Sequence, residues 1–267
     1  MDARSTVDLR SGNKLPVLGL GTWKLTEDTA GVVEAALKMG YCMIDTSGDY
    51  GTQPGVGQGV IDSGVSRDKI FIVTKVEETE DAYEATRKNL NELQLDYANL
   101  MLIHRPPRSG FGLELWEGLL RAKADGLTRD IGVSNYPIAK IKQLVDATGE
   151  VPVVNQIEWS PFGHSQEMLE YCRDQQIIIQ AYSPLTRAKA LDDVTIKDLA
   201  AMYHKTPAQI ALRWCLQLGV VPIPKANKIE HLRENLEIFN FELGADDMAT
   251  LNGLNEGYSA LGGLPYL

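Results

Sequence analysis

The feature of this sequence that most restricts its fold is a regular alternation of short apolar runs with longer amphipathic stretches. Several runs are continuously apolar and rich in β-branched residues, which is typical of strands buried on both faces of a parallel sheet. Eight such strands alternating with helices predict an α/β protein built as a closed (β/α)8 TIM barrel. The runs lie at 17–20, 41–44, 70–73, 100–103, 131–133, 151–154, 177–179 and 220–223.

The stretches between the runs carry helix signals. Leu113, Trp116 and Leu119 recur at the spacing of one helix face. The sequence Thr-Pro-Ala-Gln at 206–209 predicts a helix N-terminus with a capping box and a proline at the first helical position. These signals support helices between the strands.

The segment ahead of the first run predicts a second small element. Segments 6–9 and 14–17 flank a Ser-Gly-Asn turn, which indicates a short N-terminal β-hairpin capping the bottom of the barrel. The main alternative fold is an open doubly wound sheet, which would want a G-x-G-x-x-G loop after the first strand. Gly19 and Gly21 begin that pattern, but Lys24 stands where its last glycine should be.

Composition limits the classes of partner. The 267 residues carry a formal net charge of −10 and no linker-like segment, so we expect one domain over 1–267 that binds neither nucleic acid nor membranes. No apolar run approaches the roughly 18 residues of a membrane span, and no signal-peptide region opens the chain, which predicts a cytoplasmic protein. We expect a monomer or weak homo-oligomer. Cys42, Cys172 and Cys215 lack close spacing and are expected to be buried thiols.

Four polar residues, Asp45, Tyr50, Lys75 and His104, lie at or just beyond the ends of three successive predicted strands. Catalytic groups of such barrels gather at this end. A free phenol has a pKa near 10, too high for an efficient acid at neutral pH. Lys75, held by Asp45, would lower the pKa of Tyr50, and His104 would hydrogen-bond a substrate carbonyl oxygen. The set predicts carbonyl reduction with Tyr50 as the acid.

Each of the four residues also has a structural interpretation. Tyr50 could be an amphipathic surface residue, Lys75 and Asp45 a structural ion pair, and His104 a core histidine that bonds the backbone. Singly, each residue fits that interpretation. Their shared position at strand ends favours a catalytic one.

Ordered motifs along nearly the whole chain resemble those of the aldo-keto reductase superfamily. The resemblance is closest to short bacterial members such as the diketo-gluconate (2,5-didehydrogluconate) reductases. It implies the TIM barrel and an NAD(P)H-dependent oxidoreductase that reduces aldehydes or ketones to alcohols. The matching strings lie at 18–23, 44–46, 50–51, 74–75, 102–104, 131–136, 154–158, 205–209, 223–225 and 231–236.

The resemblance also implies residue roles. It assigns the proton to Tyr50, the tuning of its pKa to Lys75 and Asp45, and carbonyl orientation to His104. The implied cofactor-binding residues are Gly21, Thr22, Trp23, Asp45, Ser134, Asn135, Gln156, Tyr182, Ser183, Pro184, Leu185, Lys225, Ala226, Asn227, His231, Glu234 and Asn235. The implied substrate pocket contains Trp23, Tyr50, Glu77, His104 and Arg105.

Four of the implied residues would hold the nicotinamide. The amides of Asn135 and Gln156, with Ser134, match a carboxamide as donors and acceptors. Tyr182 would offer a flat stacking face. In isolation, a turn at 134–135 and a tyrosine at the edge of the core are the structural alternatives.

The phosphate end of the implied cofactor site departs from the family pattern. Lys225 stands where members hold the adenosine 2′-phosphate, but Ala226 replaces a frequent serine or threonine and His231 replaces a frequent arginine. A lost hydroxyl and a lost bidentate guanidinium weaken phosphate recognition. We therefore expect NADPH as the cofactor, with NADH used as well.

The substrate end departs too. Glu77 and Arg105 occupy positions where members often carry tryptophan, which predicts a more polar pocket in which Arg105 attracts an anionic or hydroxyl-rich substrate. An exposed Glu77–Arg105 ion pair is the alternative. Asp49 is expected to be a solvated loop carboxylate; facing the site, it would raise the pKa of Tyr50.

The sequence leaves functions other than carbonyl reduction to be compared. A cofactor-binding regulatory or sensor protein on the same fold, with little turnover, is the alternative. A metal-dependent barrel hydrolase usually needs a His-x-His pair, which the four histidines do not form, so no metal is predicted. A Schiff-base aldolase would use Lys75. The expected partner is a small-molecule carbonyl substrate.

Overall fold

The structure is a computed structural model that describes residues 2–25, 27–186 and 192–267. Its main sheet has eight parallel strands, each paired with the next strand along the chain. The strands are β3 (Leu20–Gly21), β4 (Met43–Asp45), β5 (Phe71–Val76), β6 (Ala98–Ile103), β7 (Thr128–Ser134), β8 (Val154–Glu158), β9 (Ile178–Tyr182) and β10 (Val221–Pro222).

The sheet closes into a barrel at a seam between β3 and β10. The amide of Gly19 donates to the Pro222 carbonyl and that of Gly21 donates to the Pro224 carbonyl, both at 3.1 Å. A Cβ at Gly21 would lie 2.8 Å from the Ile223 carbonyl oxygen, so this close approach requires glycine. The predicted TIM barrel is confirmed.

The strand boundaries differ from the apolar runs that predicted them. Every run overlaps a strand, but β5, β8 and β9 continue through Lys75, Gln156 and Gln180. These polar side chains are buried and hydrogen-bonded inside the barrel. Strand ends assigned from apolar residues alone therefore fall too early in the sequence.

Helices fill the stretches between the strands, as predicted. Trp116 and Leu119 are fully buried on their helix. The Thr206 hydroxyl accepts from the Gln209 amide, and the Gln209 side chain accepts from the Thr206 amide, which confirms the capping box. The helices are α1 (Thr29–Met39), α2 (Gln53–Ser63), α3 (Ala82–Leu93), α4 (Leu113–Ala124), α5 (Ile138–Thr148), α6 (Gln166–Asp174), α7 (Val194–Tyr203), α8 (Pro207–Gln217), α9 (Ile229–Leu236) and α10 (Ala245–Asn252).

The predicted hairpin consists of β1 (Thr6–Asp8) and β2 (Lys14–Pro16), which pair in antiparallel fashion. Leu15 is fully buried in one cluster with Phe71 and with Val153, at the amino ends of β5 and β8. The hairpin therefore caps the bottom of the barrel, opposite the strand ends that carry the candidate site.

The C-terminal segment packs over the opposite end. The buried Glu158 carboxylate accepts from the Ser259 hydroxyl at 2.6 Å and from the following backbone amide at 2.7 Å. A Cβ at Gly163 would lie 1.9 Å from the Tyr258 carbonyl oxygen, so the segment approaches as closely as glycine allows. This packing places Leu261 against the central cavity.

The predicted burial is confirmed for two of the three cysteines and was wrong for Cys42. Cys172 and Cys215 are buried, Cys42 is half-buried, and all three are free thiols. Within the three described ranges, no helix is long and apolar enough to cross a membrane. That residues 1–267 form one domain stays a prediction.

Candidate active site

The barrel brings the four sequence-predicted residues together. Asp45 is the last residue of β4, Lys75 is the next to last of β5, and His104 directly follows β6. Tyr50 ends a short 3-10 turn that follows β4. Because parallel strands end at one edge, the four side chains meet at the carboxyl end of the barrel.

A buried ion pair forms the floor of this site. The Lys75 ammonium is fully buried and donates to the Asp45 carboxylate and to the Thr46 carbonyl, each at 2.8 Å. The other Asp45 oxygen accepts from the Gln156 amide nitrogen at 2.6 Å. Burial lowers the pKa of Lys75, but Asp45 and Tyr50 outweigh it and raise the pKa overall. Lys75 is therefore an ammonium ion at neutral pH.

Tyr50 lies against this ammonium ion. Lys75 Nζ lies over the ring of Tyr50, 4.9 Å from its centroid. Burial raises the pKa of Tyr50, Lys75 lowers it, and Asp45 and Asp49 raise it further, so that the pKa lies above the ordinary value. The predicted effect of Lys75 has the right sign, but the prediction of a net lower pKa was wrong because burial dominates. Tyr50 keeps its proton through the neutral range.

His104 faces Tyr50 edge-on, with ring centroids 5.8 Å apart, and its Nδ1 lies 2.6 Å from a Glu77 carboxylate oxygen. The alternative of a Glu77–Arg105 surface pair was wrong, since Glu77 hydrogen-bonds His104. Burial raises the pKa of Glu77, but the hydrogen bond and charge of His104, with the charge of Arg105, lower it overall. Glu77 is thus a carboxylate at neutral pH.

Asp49 is exposed to solvent, as predicted, but its carboxylate also faces the site. One carboxylate oxygen lies 3.6 Å from His104 Nδ1 and the other lies 3.8 Å from the Arg105 guanidinium. Donor atoms of Asp49, Glu77 and His104 lie within 4.8 Å of one another. Two ligands of one zinc ion would be about 3.3 Å apart, so the 2.6 Å separation of His104 and Glu77 is that of a hydrogen bond and we assign no metal.

The four residues predicted to hold a nicotinamide form one hydrogen-bonded group. Asn135 donates to the His104 carbonyl and to the Ser134 hydroxyl at 3.1 Å, and accepts from the Tyr182 hydroxyl at 2.7 Å. Asn135 has a φ of 61°, a left-handed conformation that asparagine tolerates. The Gln156 amide nitrogen donates to Asp45 and, at 2.6 Å, to Gln180. Its oxygen is left as an acceptor.

A cavity of about 450 Å³ opens above these groups. Its size is that of a small-molecule site. Most residues predicted to bind the nicotinamide or substrate line it, and Glu77 lies behind His104. The lining residues are Gly21, Trp23, Asp45, Tyr50, His104, Arg105, Ser134, Asn135, Gln156, Tyr182, Ser183, Pro184, Leu185, Ile223, Pro224, Lys225 and Leu261.

Six predicted cofactor residues lie outside the cavity lining: Thr22, Ala226, Asn227, His231, Glu234 and Asn235. Thr22 is buried beneath the site, where its hydroxyl donates to the Asp45 carbonyl at 2.9 Å. Glu234 accepts from the Thr206 hydroxyl. His231 is exposed on α9. The predicted contacts of Ala226 and His231 belong to the phosphate end of the implied dinucleotide site.

The sequence-based prediction missed one contact, Glu77–His104, and three lining residues, Ile223, Pro224 and Leu261. Leu261 lines the cavity although it is distant in sequence from every motif, and only the Glu158 carboxylate that anchors its segment could have signalled it. The Glu77–His104 contact was available from strand register, because Val76 is paired with Ile103 and the next residues of the two strands are Glu77 and His104.

This arrangement places a neutral proton donor, Tyr50, and a polar group, His104, beside one small oxygen-bearing ligand, with Lys75 buried outside the cavity lining. The buried ammonium ion stabilises negative charge on the phenol oxygen once its proton is given up. The cavity wall offers amides and one aromatic face beside that donor. Such a site is suited to proton transfer to a carbonyl oxygen.

Sequence and structure comparisons find relatives along most of the chain. Residues 17–256 match the model of the Aldo/keto reductase family. An aldo-keto reductase of Mycobacterium sp. (strain MCS) is 40% identical over 258 residues, covering 94% of this chain and 91% of the relative. A glyoxal reductase of Bacillus subtilis is 39% identical over 259 residues, with 95% and 94% covered. The crystal structure of a Bombyx mori aldo-keto reductase in complex with NADP has a TM-score of 0.91 and 31% identity, with 97% and 95% covered.

Proposed function

The chain belongs to the aldo/keto reductase family, and we propose that it is an NADPH-dependent reductase that converts small aldehydes and ketones to alcohols. The observation that carries the proposal is the buried contact of Tyr50 with the Lys75–Asp45 pair, beside His104 on one cavity wall. The similarity to a glyoxal reductase supports small, reactive carbonyls as substrates.

The residues around the cavity fit a nicotinamide. The Gln156 oxygen is left as an acceptor for a carboxamide NH2 group because its amide nitrogen is bound to Asp45 and Gln180. Ser134 and Asn135 supply donors beside it. Burial raises the pKa of Tyr182, so its hydroxyl keeps the proton that it donates to Asn135 and its ring is held in place for stacking.

When bound, NADPH would supply the hydride for the carbonyl carbon, and negative charge would then develop on the carbonyl oxygen. Tyr50 carries its proton at neutral pH and donates it to that oxygen. His104 hydrogen-bonds the same oxygen as charge develops there. The Lys75 ammonium ion, kept charged by Asp45, then stabilises the phenolate that Tyr50 becomes.

The adenosine end supports use of NADH beside NADPH. Lys225 is exposed at the cavity edge and offers one positive charge. Ala226 is buried and has no hydroxyl, and the exposed His231 lacks the planar fork of an arginine. A site with one strong phosphate donor discriminates weakly for the 2′-phosphate.

Replacing Tyr50 with phenylalanine tests the proposal. The variant should bind NADPH as wild type does, since Tyr50 is not among the amide-holding residues, and should lose about 100-fold or more in kcat for reduction. NADPH oxidation followed at 340 nm with glyoxal and an aromatic aldehyde measures turnover, and quenching of protein fluorescence measures cofactor binding. Reduction by the variant at near the wild-type rate would remove Tyr50 from its role.

The same assay separates a reductase from a regulatory or sensor protein. A sensor would bind NADPH and oxidise it no faster with any carbonyl than without one. Wild-type protein that binds NADPH tightly and turns over none of a broad aldehyde and ketone panel would contradict the proposed reduction.

A further inference from the structure

The strand pair that carries Lys75 and His104 also fixes a carboxylate behind the histidine. Val76 is paired with Ile103 across β5 and β6, and the His104 amide donates to the Val76 carbonyl at 2.9 Å. Glu77 and His104 are therefore held side by side by the backbone. Their contact is set by barrel register rather than by a chance surface pairing.

The Glu77–His104 contact is short and sheltered. The carboxylate oxygen is 2.6 Å from Nδ1, and the side chains of His104 and Glu77 are only 8% and 18% exposed. The Ser47 hydroxyl lies 3.3 Å from the same Glu77 oxygen and 3.4 Å from Nδ1, which closes the space around the pair. The Glu77 backbone is fixed in turn, because its amide donates to the Glu80 carboxylate at 2.9 Å.

We propose that Glu77 is a positioning residue that holds the Nδ1 proton of His104, so that Nε2 faces the substrate and donates to its carbonyl oxygen from a doubly protonated ring. This inference rests on the proposed reduction. A carboxylate only accepts hydrogen bonds, so Nδ1 must be the donor. A neutral ring would then present a lone pair on Nε2 to the carbonyl oxygen, whereas a doubly protonated ring presents a second donor.

The charges around His104 come from several elements. Glu77 and Asp49 are negative, at 2.6 and 3.6 Å from Nδ1. Arg105 is positive and engages Asp49, while the positive Lys75 is engaged by Asp45. Of the two acidic groups close to the ring, Glu77 is the one at hydrogen-bond distance. Tyr50, the remaining titratable neighbour, presents a neutral ring.

Three variants separate the hydrogen bond from the charge. Glu77→Gln keeps an acceptor for Nδ1 and removes the charge. Glu77→Leu removes both. Asp49→Asn removes a nearby charge and leaves the Nδ1 hydrogen bond intact, so it is the matched control. Thermal denaturation of each variant establishes that it is folded.

The direct readout is the protonation of the two ring nitrogens, measured by NMR on protein labelled with ¹⁵N-histidine. The signal of His104 is assigned by its loss in His104→Asn. In wild type at neutral pH, both ring nitrogens of His104 should carry a proton. At neutral pH, Glu77→Gln should retain the Nδ1 proton but show less of the doubly protonated ring, and Glu77→Leu should lose the preference for Nδ1. Asp49→Asn should leave Nδ1 protonated.

Kinetics give the second readout. Because the His104 hydrogen bond strengthens as charge develops on oxygen, its loss should lower kcat with little change in KM. We expect kcat to fall about tenfold in Glu77→Gln and about 100-fold in Glu77→Leu. A wild-type His104 ring that carries a proton on only one nitrogen at neutral pH would overturn the inference. So would a Glu77→Leu variant with the wild-type spectrum and kcat.

The two readouts separate this inference from the proposed function. If the NMR states follow Glu77 but the wild type reduces no carbonyl, the reduction fails and the positioning of His104 stands. If the wild type reduces carbonyls and neither spectrum nor kcat responds to Glu77, only the inference fails.

Discussion

Two ion pairs of nearly equal length in this molecule differ almost only in burial, and this makes the stability of the candidate site predictable. Lys75 and Asp45 are 2.8 Å apart and at most 2% exposed, whereas Lys14 and Asp8 on the hairpin are 2.7 Å apart and more than 60% exposed. Replacing either lysine with methionine breaks one pair with a similar change in side-chain volume.

Removal of the buried lysine should be costly. Lys75→Met leaves the Asp45 carboxylate buried, with Gln156 as its remaining side-chain partner, and removes the donor to the Thr46 carbonyl. Breaking a buried pair from one side costs about 3–5 kcal/mol. With roughly 2.1 cal/mol/K of unfolding entropy per residue over 267 residues, that loss lowers Tm by about 5–9 °C.

The measurement is urea and thermal unfolding of the cofactor-free protein, followed by circular dichroism. Lys14→Met should change stability little, because solvent screens the exposed pair. Adding Asp45→Asn to Lys75→Met should recover at least about 1 kcal/mol, since the uncompensated charge is gone. Equal losses in Lys75→Met and Lys14→Met, or no recovery in the double variant, would refute this reasoning.

Three further outcomes are expected. Gly163→Ala should lower the free energy of unfolding by about 1–3 kcal/mol, because its Cβ would collide with a carbonyl oxygen of the C-terminal segment. Gly263→Ala is the control, because nothing lies within 4 Å of a Cβ at that position. Equal melting temperatures for the two variants would contradict the packing described. His231→Arg should raise the ratio of kcat/KM for NADPH over NADH about tenfold through a charge-assisted phosphate contact; an unchanged ratio would show that this position does not contact the 2′-phosphate. Asp49→Asn should move the pH profile of alcohol oxidation to lower pH, because Asp49 raises the pKa of Tyr50 and its loss lets the basic phenolate form sooner. A shift to higher pH, or none, would place Asp49 too far from Tyr50 to act on it.

Much of the site could be predicted because barrel geometry converts sequence position into spatial position. Asp45, Lys75 and His104 lie at the carboxyl ends of apolar strands, and all such strand ends share one face of the barrel. The apolar runs also identified the strands of the barrel, but they did not locate where those strands end. Inside the barrel a polar residue such as Gln180 can be fully buried when a partner such as Gln156 donates a hydrogen bond to it.

What sequence could not supply is the balance of competing local effects. Lys75 acts on the pKa of Tyr50 in the predicted direction, but the burial that outweighs it depends on the finished packing. The partner of Glu77 depended on side-chain direction beyond the strand, where His104 and Arg105 are consecutive and point to different neighbours. Likewise, the orientation of Asp49 toward the site depends on the turn that holds it.

At the junction of β3 and β10, the backbone hydrogen bonds run in one direction only, from the β3 side to the β10 side. This affects where the barrel opens. The bonds there run from the amides of Gly19 and Gly21 to the carbonyls of Pro222 and Pro224, and proline has no amide proton to return. Half of the usual backbone hydrogen bonds between neighbouring strands are therefore missing at this junction of the barrel. We expect hydrogen exchange to be fastest there among the eight strand junctions, so that the wall beside Lys225 loosens first and admits a long ligand from the side.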